Sequence, residues 1–285
     1  MSGMEVAIGV VQGVALIALL SATGLVLFNV LVGAWSRDGR LIAVLAGVAV
    51  GAHALLIPLH RSRAGGAEDA EQALTATILA GIGLLAALSA VVGLDRTMAR
   101  DGIWNAWVQR RLGGLLGGSV LALGGLPLSG NPLLAEDVLA AAGLDLVHAL
   151  AGAVWLGGAI GLWRLATQRE IDPDHAAWAL RRVAVAGAVA IVAVAATGVL
   201  LGRAFAVDAG SLPDSTYGRL LLAKLAALLV PLAIALWMRL QLAPTLAGMP
   251  GDDTVRAALH RAVAVESGGI AIALLLTGLL VSQAA

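Results

Sequence analysis

A chain of 285 residues in which 60% of side chains are hydrophobic and only 13% charged, against about 25% charged in an ordinary soluble domain, is an integral membrane protein by composition. Eighteen Lys and Arg balance eighteen Asp and Glu, so no basic patch is available for nucleic acid. The absence of Cys excludes disulfides, thiolate metal sites and cysteine nucleophiles together.

The apolar runs are continuous over about 20 residues and do not alternate, which excludes a membrane barrel and predicts an all-α fold. A window of about 19 residues predicts eight transmembrane helices near 6–33, 41–59, 73–94, 112–128, 143–163, 183–202, 219–238 and 262–281. The first has no basic region ahead of it and reads as a span, not a cleaved signal peptide. The fourth, in "GGLLGGSVLALGG", is a packing segment broken by the two prolines of "LPLSGNPLL". After it, "AEDVLAAAG" is expected to form a short surface helix. Pro231 is expected to kink the seventh span. The chain divides evenly into a four-helix half, 1–142, and a second, 143–285.

Six Gly-x-x-x-Gly spacings permit close helix approach: Gly9/Gly13, Gly47/Gly51, Gly113/Gly117, Gly114/Gly118, Gly157/Gly161 and Gly198/Gly202. With the N-terminus outside, 13 of the 18 Lys and Arg fall in cytoplasmic loops, so the positive-inside bias puts both termini outside. Trp35, Trp104, Trp107, Trp163, Trp178 and Trp237 then lie at cytoplasmic helix ends, as interfacial anchors do.

An ionisable group inside the hydrocarbon costs about 2.5–3.5 kcal/mol and needs a partner or a task. His148 lies about 8 Å and His53 about 9 Å below the outer edges of their spans, at matching depth. His60 is on nearly the same face as His53 and reaches the external surface, while Trp155, seven residues after His148, can close the floor beneath it. Met1 and Met4 add thioethers on the external segment. Imidazole and thioether suit copper, and no carboxylate cluster is present for a hard cation. Alternatively, each histidine simply hydrogen-bonds a neighbouring helix.

Arg219 and Lys224, near the outer end of the seventh span, either snorkel outward or offer positive charge to an anionic group. Glu266 is expected within reach of Arg181, Arg182 or Arg261, in an ion pair that fixes helix packing or, alternatively, in a cation relay. His175 and His260 are expected in solvated loops. No nucleotide loop, His-Glu-x-x-His pair or Gly-x-Ser-x-Gly elbow occurs, so no enzyme activity and no catalytic residue is expected. Two histidines at one depth also suit bis-imidazole haem b, and an assembly subunit without its own substrate is a third reading.

Over residues 143–283 the chain resembles the copper resistance protein D (CopD) family of inner-membrane proteins. "DLVHALAGAVWLGGAIGL" is similar to that family's His-and-Trp signature, "YGRLLLAKLAALLVPLAIALWMRLQLAPTL" to its Arg-and-Lys helix, and "LHRAVAVESGGIAIALLLTGLL" to its closing helix. The resemblance implies copper transport or binding in the cytoplasmic membrane of a prokaryote, in partnership with a periplasmic CopC-like carrier. It also implies a Gly-His-Ala element before the fifth span, where this chain has Gly130 followed by Asn131. Asn is a poor copper ligand, so copper would rely on His53, His148, His60 or the Met residues.

Overall fold

The computed structural model describes all residues except 1, 33–38, 63–65, 102–105, 128–135, 168–172, 205–211, 243–244, 246–251 and 285. Side chains are further set aside at 39, 91–101, 106–112, 165–167, 173–177, 204, 212, 239, 256 and 284. The described residues are helical with no strand: α1 (Gly3–Val32), α2 (Gly39–Arg61), α3 (Ala67–Asp101), α4 (Ala106–Leu123), α5 (Val138–Thr167), α6 (Pro173–Ala204), α7 (Thr216–Trp237) and α8 (Asp253–Ala284). A helical turn at Leu212–Asp214 precedes α7, and a π-helical turn, Met238–Leu242, prolongs it. Among the described residues seven of these helices are long and apolar enough to cross a membrane. The chain is a polytopic membrane helix bundle.

The helix starts are chemically set. Ser2 and Glu5 form a reciprocal capping box at α1, with Ser2 N donating to Glu5 Oε2 (2.6 Å) and Glu5 N to Ser2 Oγ (3.3 Å). Asp137 Oδ1 accepts from Ala140 N (3.1 Å), so the segment expected as a separate surface helix is instead the first turn of α5. Ser215 caps α7 through Gly218 N (2.9 Å). Longer helices than the hydropathy windows also correct the loop placement of two histidines: His175 belongs to α6 and His260 to α8, where its ring packs 5.3 Å from that of Trp163.

Helix α4 stops at Gly124–Gly125 before Pro127, because two glycines and a ring without an N–H end the hydrogen-bond ladder. A Cβ on Gly125 would meet Ala76 Cα at 2.9 Å, which places the end of α4 about 14 Å into α3. The fourth helix therefore ends before the limit at 128 that hydropathy predicts.

Helix α1 is the axis of the bundle, packing against α2 on one side and α5 and α8 on others, with further contact to α3, α4 and α6. Gly9 and Gly13 lie against Leu279, Leu275 and Gly278 of α8, and Gly24 lies directly on Gly157 of α5. Since the start of α1 meets the end of α8, both termini emerge on one face. The largest core cluster joins Leu19, Ala22 and Ala49 to Ala153, Trp155 and Ile270, so it takes residues from both sequence halves.

Candidate functional site

The buried polar groups of α5 face its neighbours at two levels. At the level nearer the start of α5, His148 Nδ1 lies 2.9 Å from Thr197 Oγ1 on α6. Thr197 spends its single hydroxyl proton on Ala193 O at 2.6 Å, so the imidazole must be the donor to Oγ1. That favours the Nδ1–H tautomer, in which Nε2 carries the lone pair, the arrangement in which a histidine serves as a metal ligand. His148 also interacts electrostatically with Lys224 of α7, which in turn interacts with Asp145, one turn above His148 on α5. Lys224 thus has an inward partner. Arg219, in the first turn of α7, is exposed and turns back to Ser215 O (3.4 Å).

One layer deeper, about 10 Å along α5, Trp155 Nε1 donates to Glu266 Oε1 at 2.6 Å. Trp155 therefore reaches across to α8 and does not form the floor of a histidine pocket. Glu266 does not pair with the arginines expected for it. It lies in line with Leu259, Val263, Ile270 and Ala273 on the buried face of α8, whereas Arg261 is exposed and bonds its own Ala257 O (3.4 Å). Arg182 donates to Leu31 O (3.2 Å) and stacks over Trp178 (4.5 Å), and Arg181 is exposed.

Beside Glu266 a cavity of about 60 Å³ opens between α6 and α7, which do not pack extensively on each other; Gly187, Ile191, Ala235, Met238 and Trp155 line it. The sequence offered no sign of Met238 here. Its placement depends on the π-helical turn, where its N–H is shared between Ile234 O and Ala235 O.

His53 is buried on α2 and donates from Nδ1 to Ala49 O (2.8 Å), so its Nε2 is likewise a lone pair. The structure does not bring His53 and His148 together. Helix α2 packs on α1 and α3, whereas α5 packs on α1, α6 and α8, and His148 faces α6. The same separation leaves bis-imidazole haem ligation by this pair without an observation in its favour. His60 comes at the C-terminal end of α2, with Nδ1 3.7 Å from Asp69 Oδ2 of α3. Nearby, Met4 is 40% exposed and its sulfur lies 3.9 Å from Ser62 Oγ. Met1 and Asn131 lie outside the described residues. Among the described residues no group of three or more His, Cys, Asp or Glu is assembled that could hold a metal ion.

In comparison with known proteins, residues 177–280, covering most of α6, α7 and most of α8, fit the family described as Copper resistance protein D. No curated protein and no solved structure matches the chain.

Proposed function

We propose, from the match of residues 177–280 to the copper resistance protein D family, that this chain binds copper in the cytoplasmic membrane and passes it along the polar side of α5. The matched segment supplies Thr197, Lys224 and Glu266, the groups that meet His148 and Trp155 from across the cleft. The observation carrying the reading is the 2.9 Å contact of His148 Nδ1 with Thr197 Oγ1. With Nδ1–H held by Thr197 Oγ1, Nε2 is presented as a borderline-soft base. His53 is a second, separate imidazole of the same tautomer, and His60 and Met4 stand at the outer rim as lower-affinity contacts. A periplasmic CopC-like carrier is the partner that the family implies.

Copper needs no nucleotide to move inward, because the membrane potential acting on a cation supplies about 2.3 kcal/mol per charge per 100 mV. The test is the copper content of detergent-purified His148→Ala and His53→Ala variants, alongside copper accumulation by cells expressing them. His148→Ala is expected to lose bound copper and uptake while keeping the thermal transition of the parent bundle. Unchanged stoichiometry in that variant would remove the site.

A further inference from the structure

Glu266 is 3% exposed, and its one polar contact among the described residues is the neutral indole N–H of Trp155. A buried carboxylate without a counter-charge is strongly disfavoured, so Glu266 is neutral when it carries its own proton and ionises only with a cation beside it. Among the described residues no Lys, Arg or His lines the cavity beside it; the side chains that do are apolar apart from Trp155, Met238 and Glu266 itself. Those three come from α5, α7 and α8, and α6 contributes only Leu180, Val183, Ala184, Gly187 and Ile191.

The neighbours indicate which cation could replace that proton. Met238 is buried at the first position of the π-helical turn, a backbone irregularity frequent at functional sites, while Trp237 before it and Leu240 after it are exposed. A thioether attracts soft metal ions, and an indole attracts cations over its face. The cavity holds about 60 Å³, enough for an ion with a few waters at about 10–15 Å³ for each water.

We infer that Glu266, Met238 and Trp155 form a second, inner cation site that takes a single Cu(I) ion, about 10 Å below His148 along α5. The carboxylate neutralises the ion's one charge, the thioether gives the site its preference for a soft metal, and Trp155 holds the carboxylate in place. This rests on the copper reading above and deepens it, since it makes the cleft between α6 and α7 a path with two stations.

The full-length chain in detergent is titrated anaerobically with Cu(I) supplied from a bicinchoninate buffer, and X-ray absorption at the copper edge is recorded on the same samples. The variants are Met238→Leu, Glu266→Gln, Trp155→Phe and His148→Ala. Met238→Leu conserves volume, so it keeps the bundle folded, and it is expected to remove one Cu(I) per chain together with a sulfur neighbour from the absorption spectrum. Glu266→Gln is expected to lose the same ion, and Trp155→Phe to weaken it by about 10–100-fold. His148→Ala is expected to keep the sulfur signal.

A sulfur neighbour that persists in Met238→Leu overturns the inner site. So does Glu266→Gln with parental Cu(I) stoichiometry but without the proton release seen on titrating the parent, which would make the carboxylate's partner a proton. Should His148→Ala lose copper while Met238→Leu and Glu266→Gln do not, the inner site falls and the copper reading stands. If neither the parent nor any variant binds Cu(I), both fall.

Discussion

The hydroxyl of Thr197 decides which nitrogen of His148 is basic, and so carries as much of the site as the imidazole does. Replacing it with Val removes the acceptor at nearly constant volume, frees the tautomer and is expected to weaken copper binding by about 10–100-fold, whereas Thr197→Ser keeps binding; a competition titration distinguishes them. A second residue-level expectation concerns Asp252, whose exposed carboxylate accepts from Thr254 Oγ1 (2.6 Å) and Thr254 N (2.7 Å) at the start of α8. Those bonds hold its pKa below the usual carboxylate value. A depressed folded pKa stabilises above the unfolded value, about 3.9, and the contribution is lost as pH falls through the folded pKa. Asp252→Ala should therefore lower the melting temperature at pH 7 and leave it unchanged near pH 2, as read by thermal scans at the two pH values. Both intramembrane histidines were visible in the sequence because hydrocarbon makes an imidazole conspicuous. Thr197 was not, since a threonine inside a span bonds its own helix at no cost and leaves no pattern. Glu266 stood out for the same reason as the histidines, yet its partner depended on rotation about α8, which a loop-level count of arginines does not resolve.

Among the helices, close approach is selective. Gly157 and Gly24 lie on each other, Gly161 sits beneath the Phe28 ring, and Gly83 of α3 opposes Gly118 of α4, whereas Gly47, Gly51, Gly113, Gly117 and Gly202 have nothing within 4 Å of an added Cβ. Overpacking a tight crossing costs about 1–3 kcal/mol, and the contact here is to backbone, which cannot yield. Gly157→Leu is thus expected to lower the detergent melting temperature or abolish folding, while Gly47→Ala and Gly113→Ala leave it at the parental value. The spacing of glycines in the sequence found Gly9/Gly13 and Gly157/Gly161 at true interfaces. It missed Gly24, Gly83 and Gly278, because a crossing needs a pair on one helix only and a single small residue opposite. It also admitted Gly47/Gly51, whose helix face has no atom near an added Cβ. The early end of α4 was foreshadowed by the prolines after it, although how far it reaches along α3 is set by the contact of Gly125 with Ala76.

At the scale of the molecule, eight helices, an all-α class and a membrane setting follow from hydropathy alone, because a bilayer admits few alternatives for satisfying a backbone. Which helices touch does not follow, and that is why two imidazoles at equal depth were expected to meet although α1 packs against both of their helices. Sidedness is testable directly, since the chain has no native Cys. Single cysteines at Ser62 and Asp214 should react with a membrane-impermeant maleimide on intact cells, and one at Asp252 only after permeabilisation; the reverse labelling would invert the topology. The axial place of α1 also bears on how the protein is made. Its glycine face, Gly9 and Gly13, is completed by Leu275, Gly278 and Leu279 of α8, so α1, synthesised well before α8, must wait for it before its groove is filled. Until then that groove faces lipid or a chaperone, and translation stalled before α8 should yield a product that quality-control proteases remove even though α1 has already been inserted.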